Sequence, residues 1–162
     1  MYKLFVCYPG TIQQRMVNKM ENHSNRAFGF QLLLDLYDCR AGVCDDLGFC
    51  YQFLDDIVGH LGMEKQSPPS IFRSDEVRFP DKAGLSGWVP LIESSIVIHT
   101  LSPKNFISID IYCCRFFEQD KARDFCRKYF LPKKIEMQYV ERGLSYFVHD
   151  NVNASRAVSV HS

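Results

Sequence analysis

Between Phe28 and Cys39 the chain reads "FGFQLLLDLYDC", an apolar run with scattered polar positions that predicts a strand entering a core. The next apolar residues, Leu47, Cys50, Leu54, Ile57, Val58 and Leu61, recur at i, i+3 and i+4 spacing and predict a helix. Asp45 is placed to cap its start and Gly62 to end it. "KQSPPS" is a loop, because two prolines break any ladder. A strand is predicted over Ile71 to Phe79, followed by the turn "PDKAGLSG" and three extended runs over 87–93, 95–101 and 105–114. "EQDKARDFCRKYF" is a second amphipathic helix, with Ala122, Phe125, Cys126 and Tyr129 on one side and Pro132 ending it. "KKIEMQYVERG" supplies the last strand. The order β-α-β-β-β-β-α-β with short central turns predicts an α+β, two-layer sandwich: a mostly antiparallel sheet with helices packed on one face. One domain is expected over 28–147, with an N-terminal extension over 1–27 and a loose polar tail over 148–162.

Strand alternation separates the faces of the central runs. Ile107, Ile109, Ile111 and Cys113 share a core-like face, whereas Ser108, Asp110, Tyr112 and Cys114 form a polar row. In the preceding run Ile96 and Ile98 share one face, and Ser95, Val97 and His99 the other. Two neighbouring strands are thus each expected to present polar groups with a nucleophile or base near one end. An ordinary solvated face of an antiparallel sheet has the same pattern.

Composition removes several classes of function. The 162 residues carry 19 Lys and Arg against 19 Asp and Glu, so no basic field exists to hold nucleic acid phosphates. The opening "MYKLFVCYPG" is too short for a secretory core or a membrane span, and a cytoplasmic location is expected. The seven cysteines are odd in number and match no zinc spacing; neither a disulfide framework nor a metal site is expected.

The Glu93-Ser94 step, His99 followed by Thr100, and Cys114 at the end of the next strand resemble the S-adenosylmethionine decarboxylase family in its short bacterial and archaeal form. Ser86-Gly87 lies just upstream, and "FQLLLDLYDC" and "KKIEMQYVERG" are similar to the family's first and last strands. The resemblance covers residues 28 to 143 and implies a self-processing proenzyme. In that chemistry Ser94 attacks the Glu93 carbonyl, with help from Ser86, and His99 takes the α-proton of the serine. The chain is then cleaved between 93 and 94, leaving a covalent pyruvoyl group derived from Ser94. That cofactor replaces pyridoxal phosphate, and no metal is implied. The substrate amine forms a Schiff base with it, and Cys114 serves as proton donor after carbon dioxide leaves. A thiol suits that task, since an ordinary pKa of ~8.5 keeps its proton available near neutral pH. A homodimer of cleaved protomers is implied, with no membrane or nucleic acid partner.

For the substrate, Phe79 is similar to a stacking aromatic of the family, and Leu101 stands where the family carries a second one. The family's Trp-Pro-Glu following His-Thr reads Leu101-Ser102-Pro103 here. The small-molecule substrate is therefore left open between S-adenosylmethionine, on the way to polyamines, and a basic amino acid such as arginine or ornithine. A regulatory homologue that does not process is the third reading. Asp35 and Asp38, near the end of the first strand, are acids placed to meet a cationic substrate or simply to be solvated.

Overall fold

The computed structural model describes residues 27 to 146. Strands β1 (Gly29–Tyr37), β2 (Ser70–Arg73), β3 (Leu85–Leu91), β4 (Ser94–Leu101), β5 (Phe106–Cys113) and β6 (Lys134–Arg142) form one sheet in the order β2-β3-β4-β5-β1-β6. Every pairing is antiparallel. Helices α1 (Leu47–His60) and α2 (Gln119–Phe130) contribute to a core on one side of that sheet. The architecture is the expected α+β sandwich. The predicted N-terminal extension, except its last residue Ala27, and the predicted tail lie outside the described residues. No helix among the described residues is long and apolar enough to cross a membrane.

Alternation sets the core. Leu32, Leu34 and Leu36 of β1, Ile96 and Ile98 of β4, and Ile107, Ile109 and Ile111 of β5 are all buried. They meet Cys50, Phe53, Leu54, Ile57 and Val58 of α1 and Ala122, Cys126 and Phe130 of α2. Phe53 and Phe130 join the helices, with ring centroids 4.6 Å apart. Gly87 permits the close approach of α1 to the sheet: a Cβ there would lie 2.9 Å from Leu54 Cδ1 and 3.0 Å from Ile98 Cγ2.

The structure corrects three local expectations. Asp46, not Asp45, caps α1, its Oδ1 accepting from Phe49 N at 2.9 Å. Asp45 is engaged instead by Arg73 at 3.0 Å and by Ser102 Oγ at 2.6 Å. Leu47 belongs to the first helical turn but is 42% exposed, and Phe53 takes its place in the core. The strand predicted over Ile71 to Phe79 ends at Arg73, because Asp75 draws the chain into a turn: its Oδ1 accepts from Val77 N and Arg78 N.

Thr100 is the one buried polar side chain among the described residues, 3% exposed. Its hydroxyl donates to Cys44 O at 2.6 Å and accepts from Leu85 N at 2.7 Å, tying β3 and β4 to the loop before α1. Thr100→Val keeps the shape but strands both partners. Urea denaturation is expected to register a loss of about 2–4 kcal/mol; a loss below about 0.5 kcal/mol would show that the two groups find other partners.

Candidate active site

The residues singled out in the sequence fall into two clusters. The first surrounds His99. The β3–β4 register places His99 opposite Ser86, and Ser86 Oγ lies 3.0 Å from His99 Nδ1. The two side chains form a pair in which the hydroxyl donates to Nδ1 or accepts from it, according to the imidazole tautomer. A cleft of about 390 Å³ opens beside them, walled by Phe79, Leu85, Thr100 and Leu101, with Ser74 and Lys82 as further polar groups.

The loop carrying Phe79 is held at both ends. Ser74 Oγ sits 2.8 Å from Lys82 O and 2.9 Å from Gly84 O, and Phe79 N donates to Asp75 O at 2.9 Å. The Phe79 ring is partly exposed and has the Arg78 guanidinium 5.1 Å and the Lys82 ammonium 5.9 Å from its centroid. Leu101 and Phe79 therefore line one cleft with Ser86 and His99. Ser102 and Pro103 follow Leu101 in a short 3₁₀ turn, Ser102–Lys104, where Ser102 Oγ is directed to Asp45.

The second cluster surrounds the Glu93-Ser94 peptide. β3 and β4 are joined by a two-residue hairpin turn, Ile92 and Glu93, so that Leu91 pairs with Ser94. Ser94 has φ 157°, a backbone setting that residues with side chains rarely adopt. Across the other edge of β4, Ser94 pairs with Cys113. Three contacts pin the turn. Ile92 N donates to Glu64 O at 3.0 Å, and Cys114 N donates to Glu93 O at 3.0 Å. The Arg115 guanidinium lies 3.4 Å from Glu93 Oε1. A smaller cavity of about 180 Å³ adjoins this end of the sheet, bordered by Leu61, Met63, Cys113, Arg115 and Phe116.

The two adjacent cysteines differ as their strand positions predicted. Cys113 is buried, and burial raises its thiol above the ordinary range. Cys114 is the one exposed thiol among the described residues, at the end of the strand beside the Glu93 carbonyl. Burial also pushes Cys39 and Cys50 up to about 12 and Cys44 up to about 11, which leaves them protonated packing residues.

A single chain does not bring the two clusters together. Ser94 and His99 are five residues apart on one strand, roughly 16 Å at about 3.3 Å per residue. Their odd spacing also turns them to opposite faces by alternation. The polar rows of β4 and β5 run in opposite directions, so His99 neighbours Ser108 while Cys114 lies at the far end. Each row does carry a nucleophile or base near one end, as expected, but the antiparallel register puts those ends at opposite ends of the sheet. Asp35 sits on the helix-free face opposite Ser108 and Glu136, where burial, then Glu136 and Asp110, raise its carboxyl pKa. Asp38 is exposed, 3.9 Å from Lys133.

Sequence reading missed Arg115 and Lys82. Each was visible only as a cation next to a residue already singled out, Cys114 in one case and the Phe79 loop in the other.

Comparison with known proteins gives this arrangement its context. The S-adenosylmethionine decarboxylase family pattern matches residues 30–143. The chain is 31% identical over 119 residues to an S-adenosylmethionine decarboxylase proenzyme of Persephonella marina, covering 73% of this chain and 84% of that protein. It is 29% identical over 111 residues to the proenzyme of Pyrobaculum arsenaticum, covering 68% and 84% of the two chains. The crystal structure of the adenosylmethionine decarboxylase from Aquifex aeolicus superposes with a TM-score of 0.63 at 27% identity, over 73% of this chain and 92% of that one. A two-layer sandwich with a serine opening the strand after its central hairpin turn is here the scaffold of a pyruvoyl-dependent carboxy-lyase. The chain belongs to the S-adenosylmethionine decarboxylase family.

Proposed function

We propose that this protein cleaves itself between Glu93 and Ser94 and decarboxylates S-adenosylmethionine, through a catalytic unit spanning residues 28–147. The observation that carries the reading is the hydrogen bond from Cys114 N to Glu93 O at 3.0 Å, on the carbonyl that Ser94 would attack. A backbone N–H aimed at that oxygen stabilises the negative charge that develops on it when a nucleophile adds. Ser94 Oγ is the nucleophile, on the residue that directly follows the turn.

The residues around Ser94 also suit the decarboxylation that comes after cleavage. A pyruvoyl carbonyl at position 94 supplies the electron sink for loss of carbon dioxide. The Cys114 thiol, held at the same turn, is the group positioned to return a proton to the substrate carbon. The two pieces stay together, because β1 from the first is paired on both edges with β5 and β6 from the second.

His99 and Ser86 lie too far from their own Ser94 to move its protons, so a second copy completes the site. In a homodimer that sets the start of one protomer's β4 against the helix-free sheet face of the other, each protomer supplies Ser94 and Cys114 to one site and Ser86, His99, Phe79 and Leu101 to the other. Trp88, Phe72 and Val140 are exposed apolar residues, and strand alternation assigns them to that face. Such residues are suited to burial against another sheet.

The Phe79–Leu101 cleft fits a flat, neutral ring better than a guanidinium or ammonium. Its walls are mostly apolar, and among Asp, Glu, Lys and Arg only Lys82 lines it, which repels a second cation. Measuring carbon dioxide release from carboxyl-labelled S-adenosylmethionine, arginine and ornithine tests the substrate. Turnover of the first alone is expected; turnover of a basic amino acid with none of S-adenosylmethionine contradicts the reading.

Sharing of the site is tested by co-expressing Ser94→Ala and His99→Ala chains carrying different tags. Neither alone should yield a pyruvoyl-blocked fragment. Together, about half of the His99→Ala chains should be cleaved, for random pairing in a two-fold dimer. Cleavage absent from the mixture would show that His99 serves its own chain.

A further inference from the structure

Arg115 follows Cys114 directly, and its guanidinium reaches two acceptors. One is the Gly62 carbonyl, just past the C-terminal end of α1, at 3.3 Å; the other is Glu93 Oε1 at 3.4 Å. Both acceptors are electronegative, since the last carbonyls of a helix carry partial negative charge. Glu93 would be unfavourably placed there without a cation between them. Its second oxygen, Oε2, is buried and has no hydrogen-bond partner among the described residues. The turn that holds the reacting peptide thus already contains a carboxylate short of donors.

We propose that Arg115 is the electrostatic positioning residue of self-cleavage: it fixes Glu93 in the turn and neutralises the main-chain carboxylate that Glu93 becomes. This rests on the reading of Glu93-Ser94 as the cleavage step. In that step Ser94 Oγ bonds to the Glu93 carbonyl carbon and the peptide C–N bond breaks, leaving an ester and a free amine on residue 94. A base then removes the α-proton of residue 94, the Cβ–Oγ bond breaks, and its electron pair departs with the Glu93 carboxylate. The resulting dehydroalanine tautomerises to an imine, and addition of water releases ammonia and leaves the ketone. Over the sequence one water is consumed and one ammonia released.

Negative charge therefore builds on Glu93 beside a side-chain carboxylate that already carries one. An arginine fork, with five donors in a fixed plane, serves two carboxylates at once, whereas lysine supplies only a point charge. The Arg115 side chain is 54% exposed against 25% for Glu93, so solvent screens the cation and its contribution to folding is small beside its effect on cleavage. The effect belongs to the cleavage rate.

The test uses the full chain, with cleavage followed over time by denaturing mass measurement. Arg115→Ala is expected to slow cleavage by roughly tenfold to a hundredfold, less than the ~10²–10³ lost with a donor placed directly on the developing oxyanion. Arg115→Lys should lose less, and added millimolar guanidinium should restore part of the Arg115→Ala rate. In a Ser94→Ala background the melting temperature should not move with Arg115→Ala. Cleavage by Arg115→Ala at the wild-type rate overturns the proposal. So does slow cleavage that guanidinium fails to rescue and that accompanies a fall in melting temperature, since that is a purely structural role. A wild-type chain that never cleaves overturns the cleavage reading itself, a result distinct from either.

Discussion

The antiparallel ladder of β3, β4 and β5 fixes where every reactive group can be. A paired strand has a set rise and a set alternation, so its residues cannot slide to meet a chemical need. The register that places Ser86 against His99 also places Leu91 against Ser94 and Cys113 beside it. Ser94 and His99 are held at opposite ends and on opposite faces of the same strand. A reaction needing both must therefore bring a second strand end to Ser94, and a second copy of the chain carries one.

The same ladder explains how a chain can be cut through its central hairpin and stay folded. The bond between Glu93 and Ser94 lies in a two-residue turn, where breaking it removes no cross-strand hydrogen bond of the flanking strands except those of the turn itself. The sheet order interleaves the two pieces, with β1 inserted between β5 and β6. Separating them would expose the leucines of β1 and the isoleucines of β5, which are buried against both helices. Core burial would keep an end formed there in place, while the hydrogen bond from Cys114 N and the ion pair with Arg115 hold the turn locally.

Much of the fold was readable because its elements have strong periods. The apolar alternation of β1, β4 and β5 and the i, i+3, i+4 spacing of α1 survive any choice of neighbour. Local ends were less readable. Asp45 and Asp46 are equally good caps by residue type, and only the position of Arg73 and Ser102 decides which one turns back to the helix. The extent of β2 depended on Asp75, whose side chain captures two backbone N–H groups and ends the strand. At the site, residue types pointed to the chemistry, while the separation of Ser94 from His99 was implicit in their odd spacing. What no pattern carried was the position of Arg115 relative to Glu93, because it depends on how the end of α1 meets the turn after β3.

The chemistry proposed for the site depends on the Glu93–Ser94 bond being a point of self-cleavage. A denaturing mass spectrum of the purified wild-type chain measures this directly. Two fragments are expected, one ending at Glu93 and one beginning at position 94, the latter lighter than its serine-started form and closed to N-terminal sequencing. A single intact chain, under conditions where the protein is folded, would contradict it.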